Sequence, residues 1–207
     1  MRLPLLTGLF ALLLGLCGAA SAAAEPWATL PQAQPTRNPA KVEVIEFFWY
    51  GCPHCYDAEP RVAAWVKQQP ADVEFIRVPA IFNARWAVLG RAYYAMQHLQ
   101  LGEKEHGALF DAIHRARKNL TDENSLAEFF STLGVPDEKF REAFNDFDVD
   151  GKVRRANQMT AAYGLEGVPT FIVNGKYRVD GTTAGSEAGM FTALDTLVAQ
   201  ELKQLKK

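Results

Sequence analysis

The sequence predicts an α/β protein in which a long helical segment interrupts a sheet. Strand-like runs, rich in β-branched and aromatic residues, occur at 42–49, 73–78 and 170–179. Between the second and third runs, apolar residues recur at helical spacing from 82 to 163. This pattern predicts one domain formed by residues 25–80 and 158–207, with an all-helical domain inserted at residues 81–157.

Residues 1–24 have the features of a secretory signal peptide. Arg2 precedes an apolar stretch too short for a membrane span, and small residues follow, so we expect cleavage after Ala22 or Ala24. Cys17 also suggests a lipidated anchor, but Leu16 occupies the preceding position, where that signal usually has a small residue. We therefore predict an exported protein.

Charge and cysteine content narrow the range of functions. The chain carries 22 basic and 24 acidic residues, a net charge of −2, which gives no basis for binding nucleic acid or an anionic membrane surface. Loss of the signal peptide would leave only Cys52 and Cys55. Structural disulfides persist in exported proteins, but a single pair this close together is more typical of a reactive dithiol.

The stretch 47–55 reads Phe-Phe-Trp-Tyr-Gly-Cys-Pro-His-Cys. Pro53 has no amide hydrogen and a fixed φ, so it suits the first turn of a helix and places Cys52 at the helix N-terminus. Unpaired amides and the helix dipole stabilise a thiolate there. We expect Cys52 to be the nucleophile, Cys55 the buried resolving thiol, and His54 a further stabiliser of the thiolate.

Other uses of two cysteines fit less well. A structural zinc site needs four ligands, and the mature chain has no second Cys or Cys–His pair. A c-type haem site needs His directly after the second cysteine, where Tyr56 stands. A structural local disulfide remains the alternative to a redox role.

The remaining elements follow in order along the chain. Residues 25–41 read as an extended segment without a core of its own, and the strand at 42–49 reads as buried on both faces. A helix should run from Cys52 to about Lys67, with a kink at Pro60.

The second half of the chain contains a hairpin signal. Asn174-Gly175 predicts a tight turn between two strands, 180–185 reads as a flexible loop, and Ser186 should begin the last helix. Three histidines in the helical segment are interpreted as solvated side chains rather than metal ligands: His98, His106 and His114.

Two motifs together give a resemblance to a known family. Cys-Pro-His-Cys after Glu-Phe-Phe, followed much later by Gly-Val-Pro-Thr at 167–170, resembles the DsbA family of periplasmic dithiol oxidases over essentially the whole mature chain. The resemblance implies a thioredoxin fold with an inserted all-helical domain. It also implies that Pro169 is a cis proline beside the cysteines and that Val168 offers backbone hydrogen bonds to an extended substrate peptide.

Glu46 and Tyr50 are two further candidate site residues, because of the resemblance or their position in the sequence. Glu46 interrupts the apolar strand, either facing water at a sheet edge or, as in the matching position of the family, acting as a proton-relay carboxylate beneath the dithiol. The lysine that often pairs with this glutamate is absent, with Phe75 near its place and Arg77 as a possible substitute. Tyr50, next to the motif, is a candidate for lining a peptide groove.

The resemblance implies a periplasmic monomer that transfers its Cys52–Cys55 disulfide to exported proteins through a mixed disulfide at Cys52. It implies reoxidation by a DsbB-like quinone reductase of the inner membrane and no dissociable cofactor. A disulfide isomerase or reductase would use the same cysteines. A metal chaperone using Cys52, His54 and Cys55, and a peptide-binding chaperone, are further alternatives.

Overall fold

The computed structural model describes residues 25–206, so the predicted signal peptide and Cys17 lie outside the described residues. In that range the chain forms one five-stranded sheet with helices around it. The elements in chain order are β1 (Ala28–Thr29), β2 (Val42–Phe48), α1 (Pro53–Lys67), β3 (Val73–Pro79), α2 (Ala84–His98), α3 (Glu103–His114), α4 (Glu123–Thr132), α5 (Asp137–Phe144), α6 (Phe147–Ala162), β4 (Thr170–Val173), β5 (Tyr177–Asp180), α7 (Gly181–Ala184) and α8 (Glu187–Leu205).

The strand order across the sheet is β1-β5-β4-β2-β3. β2 pairs with β3 in parallel and with β4 antiparallel, and every residue of β2 is buried. This confirms the prediction from its continuous apolar run. The β2-α1-β3 crossover brings α1 back across the sheet, so the residues between β2 and α1 lie at the end of a central strand.

The helical segment predicted from periodicity is present as α2 to α6, between β3 and β4. α6 continues without interruption through the proposed domain boundary at 157/158. The positions of the domain boundaries therefore stay a prediction.

The two faces of the sheet carry separate apolar cores. Ile45 and Phe47 of β2 belong to a cluster that includes the buried faces of α2 to α6, whereas Val42 and Val44 pack with α1 and α8. The alternation follows from the two-residue period of a strand. Each large apolar side chain buried in this way contributes about 1.5–3 kcal/mol, so β2 is held firmly from both sides.

Two local predictions need correction. The segment 180–185 is not a loop: the Asp180 carboxylate accepts hydrogen bonds from the amides of Thr182 and Thr183 at 3.0 and 2.8 Å and begins the short helix α7. The extended N-terminal segment also includes β1, which pairs antiparallel with β5. A two-residue strand is too short to leave a periodic pattern in the sequence.

The hairpin prediction is confirmed, because Asn174 and Gly175 have φ values of +51° and +64° and join β4 to β5. Two consecutive positive φ values match the tight turn that follows the twist of paired strands. A Cβ atom on Gly175 would lie 2.1 Å from the carbonyl oxygen of Gln34. Glycine is therefore required both by conformation and by space.

We expect Gly175→Ala to lower the free energy of unfolding by about 1–3 kcal/mol, because it introduces strain at a positive φ as well as a backbone clash. Urea denaturation measures this. The matched control is Gly107→Ala in α3, where an added Cβ meets no atom within 4 Å and should stabilise the helix by about 0.5–1 kcal/mol. Equal effects of both substitutions would contradict the account.

Candidate active site

Cys52 is the N-cap residue of α1, with Pro53 as the first helical residue, as predicted. It has extended φ and ψ of −91° and 118°, and its amide donates to the carbonyl of Trp49 at 3.0 Å. Gly51 fits in this turn because a Cβ atom there would lie 2.3 Å from the Trp49 ring. The turn therefore presents the Cys52 sulfur to the unpaired amides at the start of the helix.

The two thiols differ in their electrostatics. Both cysteines are unbridged and buried, and Cys55 is only 1% exposed. A hydrogen bond from the Cys55 thiol and bonds from the amides of Cys55 and His54 lower the pKa of Cys52 to about 6, although burial opposes the shift. Burial raises the pKa of Cys55 well above its usual value. At neutral pH the pair therefore consists of a Cys52 thiolate and a Cys55 thiol.

His54 is exposed, and its charge adds the smallest of these contributions to the Cys52 pKa. Its backbone amide contributes more than its side chain. The predicted stabilisation of the Cys52 thiolate by His54 thus comes from both its backbone amide and its imidazole.

A cis peptide bond joins Val168 and Pro169 beside Cys52, which confirms the cis proline implied by the resemblance. The Cys52 thiol lies 3.4 Å from the carbonyl oxygen of Val168. The loop before β4 thus reaches the reactive sulfur, although 116 residues separate the two in sequence.

A groove of about 530 Å³ opens next to this pair. It is lined by His54, the Val168–Pro169 loop and Met190 among others. Tyr50 does not line it, because its side chain is fully buried, so the prediction that Tyr50 faces a peptide groove is wrong. A larger cavity of about 690 Å³ is lined by residues of β3, α2 and α6 and includes neither cysteine.

Glu46 is buried in β2, which has a neighbour on each side, so the account of a water-facing edge residue is wrong. Arg77 occupies the opposite position in β3, and its Nε donates to a Glu46 carboxylate oxygen at 3.0 Å. Its remaining nitrogens bind Glu59 at 2.6 Å and Glu103 at 2.7 and 2.8 Å. Arg77 therefore takes the place expected of a lysine, as the sequence suggested.

The cluster of Glu46, Glu59, Glu103 and Arg77, here called the acidic cluster, holds one cation and three carboxyl groups. Burial raises the pKa of Glu46 to about 7 even though Arg77 favours the anion, and burial has the same effect on Glu59. A single guanidinium cannot neutralise three carboxylates, so burial favours the protonated forms of Glu46 and Glu59. The charge of Glu46 also contributes to the raised pKa of Cys55.

Glu59 was not among the predicted site residues, and His106 was wrongly predicted to be solvated. Glu59 lies four residues after Cys55 on α1, a spacing that puts both side chains on one helix face and was the available signal. His106 is buried, not solvated: its Nδ1 lies 2.6 Å from the Tyr50 hydroxyl. Burial and the nearby Arg77 lower its pKa to about 4, so it is neutral at pH 7.

Between residues 25 and 206, no three side chains of His, Cys, Asp or Glu are grouped so that they could hold a metal ion. In the same range, no helix combines the length and the apolar character needed to cross a membrane.

Comparison with known proteins identifies the family. The model of the DSBA-like thioredoxin domain matches residues 75–188, which include most of β3, the helical segment, the cis proline and β4. The chain belongs to the DsbA family. The thiol:disulfide interchange protein DsbA of Pseudomonas syringae pv. tomato is 41% identical over 192 residues, covering 90% of each chain. The DsbA of P. aeruginosa PAO1 is 37% identical over the full length of both chains.

Solved structures of DsbA proteins have the same fold. The crystal structure of P. aeruginosa DsbA superposes with a TM-score of 0.85 at 38% identity, covering 91% of this chain and 99% of that one. The oxidoreductase DsbA from Xylella fastidiosa gives 0.80 at 31% identity, with coverage of 86% and 95%. This DsbA-family protein is accordingly a thiol:disulfide oxidoreductase with a thioredoxin fold and a helical insertion, and it acts on proteins that contain cysteines.

We expect Arg77→Gln to lower the free energy of unfolding at pH 8 by about 3–5 kcal/mol, because it leaves buried carboxylates without their cation. The loss should be smaller at pH 5.5, because without Arg77 the pKa values of Glu46 and Glu59 rise above about 7 and protonation then removes the uncompensated charge. Urea denaturation at pH 8 and pH 5.5 would measure both effects.

The matched control is Arg85→Gln, at an exposed position on α2. This substitution should change stability by less than about 0.5 kcal/mol at either pH. A similar loss in both variants, or a loss for Arg77→Gln that does not depend on pH, would rule out an uncompensated charge in the acidic cluster.

Proposed function

We propose that this protein is a dithiol oxidase that transfers its Cys52–Cys55 disulfide to newly exported proteins. The difference between the two thiols is the observation that carries the proposal. The pKa of Cys52 is lowered to about 6 and that of Cys55 is raised. A disulfide whose reduced form contains a stabilised thiolate is a good acceptor of electrons, because reduction releases that thiolate.

The reaction proceeds through two exchanges. A substrate thiolate attacks the Cys52 sulfur, the Cys52–Cys55 bond breaks, and Cys55 takes up a proton. A second substrate thiolate then attacks the substrate sulfur of this mixed disulfide and releases Cys52 as a thiolate. The protein gains two electrons, and the substrate leaves with a disulfide.

The acidic cluster supports a role for Glu46 as the proton donor to Cys55 in the first exchange. Cys55 has a raised pKa, so it leaves readily only when it receives a proton. The carboxyl groups of the cluster become steadily more exposed outward: the side chain of Glu46 is 1% exposed, that of Glu59 16% and that of Glu103 73%. We infer that protons reach Glu46 from water by way of Glu103 and Glu59.

Val168 and Pro169 are suited to bind the substrate chain. The carbonyl of Val168 lies beside the Cys52 sulfur, next to the groove. A backbone hydrogen-bonding group at this position can pair with an extended peptide and bring its cysteine to Cys52. We further propose that the protein works in the periplasm as a monomer and that a DsbB-like quinone reductase reoxidises it, on the basis of the predicted signal peptide and the family.

A reductase or isomerase of the same fold is the second candidate. The pKa of about 6 for Cys52 supports this second candidate, because it lies between the reference values of about 3.5 for a DsbA and about 7 for thioredoxin. The site thus lies between a strong oxidant and a reductant.

Redox titration in glutathione buffers separates the two candidates. The fluorescence of Trp49, which stacks on Trp86 at 4.2 Å next to the site, would report the redox state, and thiol alkylation would confirm it. We expect a potential closer to about −120 mV than to about −270 mV. A value near −270 mV would mean a reductase or isomerase. Cys52→Ser should abolish dithiol oxidation. A protein that still binds unfolded peptides and assists their folding after this change would be a chaperone.

We also expect the reduced protein to be more stable than the oxidised protein at pH 7. An unfolded thiol has a pKa of about 8.5, whereas Cys52 in the folded reduced state has a pKa of about 6. Since the folded value is the lower one, the stabilisation is fully present above the unfolded value and is lost as pH falls through about 6.

Urea denaturation of both redox forms at pH 7.5 and pH 5 checks this expectation. The difference in unfolding free energy between the forms should decrease markedly at pH 5. A difference that is absent at pH 7.5, or equal at the two pH values, would remove thiolate stabilisation as the driving force of an oxidase.

A further inference from the structure

Helix α3 contacts the turn before Cys52 through two histidines that bind the same residue. Nε2 of His114 donates to the backbone carbonyl of Tyr50 at 2.7 Å, and Nδ1 of His106 lies 2.6 Å from the Tyr50 hydroxyl. The two histidines are eight residues apart, about 12 Å along the helix axis. Tyr50 therefore extends along α3 and is held at both ends.

The Tyr50 side chain is enclosed along its length. Its ring is fully buried and contacts Phe110 of α3 at a centroid distance of 4.7 Å and Phe48 of β2 at 5.1 Å. Aromatic pairs at these distances add to the stabilisation from burial. Tyr50 consequently has little freedom to move relative to either α3 or the sheet.

The hydroxyl contact also brings the turn close to the acidic cluster. Burial raises the pKa of Tyr50 well above its usual value, so the hydroxyl keeps its proton and donates a hydrogen bond to Nδ1 of neutral His106 at 2.6 Å. Nε2 of His106 then carries the ring hydrogen. Within residues 25–206 this buried nitrogen makes no hydrogen bond, and a Glu59 oxygen lies 3.5 Å from it.

The same helix holds the other side of the cysteine motif. Tyr56 is the residue directly after Cys55. Its hydroxyl donates a hydrogen bond to Asp111 of α3 at 2.7 Å, and its ring stacks on the His114 ring at a centroid distance of 4.8 Å. α3 therefore contacts the residues on both flanks of Cys-Pro-His-Cys.

We propose that α3 positions Cys52 through Tyr50, with His106 and His114 as positioning residues. Only Gly51 separates Tyr50 from Cys52, and glycine alone would leave this link flexible. Fixing Tyr50 limits that flexibility and keeps the Cys52 sulfur within reach of the amides of His54 and Cys55. This inference rests on the proposed roles of Cys52 and Cys55.

The test compares His114→Gln and Tyr50→Phe with a control, His98→Gln. Phenylalanine keeps the ring but removes the hydroxyl, and the His98 side chain on α2 is 42% exposed. Three quantities are measured for each protein: the Cys52 pKa from thiolate absorbance, the equilibrium constant with glutathione, and the melting temperature of both redox forms.

For His114→Gln we expect a higher Cys52 pKa and a glutathione equilibrium shifted roughly three- to ten-fold toward the disulfide, the range for one lost hydrogen bond. Tyr50→Phe should give a smaller shift in the same direction, and His98→Gln no shift. If both site variants melt earlier in both redox forms but keep the Cys52 pKa and the equilibrium constant within two-fold, α3 is merely structural and the proposal is wrong.

Failure of the positioning role can be distinguished from failure of the proposed oxidase function. If His114→Gln does not fold, Tyr50→Phe decides by the same criteria. The Cys52 pKa requires no substrate, so positioning is scored even if the wild-type protein fails to oxidise dithiols. Failure of oxidation alone would overturn the oxidase, and an unchanged Cys52 pKa in the variants would overturn positioning.

Discussion

The site depends on one interaction, the attraction between the negatively charged Cys52 sulfur and the N-terminus of α1. The first amides of α1 have no partner within the helix, and those of His54 and Cys55 help to lower the pKa of Cys52. Each surrounding feature serves that contact. Pro53 begins the helix without an amide of its own, Gly51 lets the turn pass the Trp49 ring, and β2, buried on both faces, fixes the position from which the turn starts.

In the acidic cluster, burial acts on carboxyl groups rather than on thiols. Burying Arg77 with Glu46 and Glu59 contributes little net stability, since desolvation offsets most of the attraction between the charges. The same burial raises the pKa values of Glu46 and Glu59, whereas Glu103 at the outer side of the cluster is 73% exposed. The cost in stability and the raised proton affinity of Glu46 and Glu59 come from one cause, the removal of these two carboxyl groups from water.

Local patterns predicted much of this molecule, and contacts distant in sequence were the main source of error. The order of strands and helices, the buried β2, the hairpin at Asn174-Gly175 and the place of Cys52 at a helix start all follow from neighbouring residues. His106 and Tyr50 were misplaced because their burial results from the packing of α3 against the turn, 56 residues away. β1 was missed because a two-residue strand exists only through its partner β5. The cis proline came from family resemblance, since no local rule distinguishes it from a trans proline.

The edges of the sheet have a consequence for a protein that acts on other proteins. Extended segments of polypeptide chains add readily to open strand edges, which leads to aggregation. Here the edge of β5 is covered by β1, and the outer strand β3 carries Glu74 and Arg77 and ends at Pro79. Charges and proline are the features that discourage a further strand from pairing. The sheet can thus meet its protein substrates while its outer strands resist pairing with them.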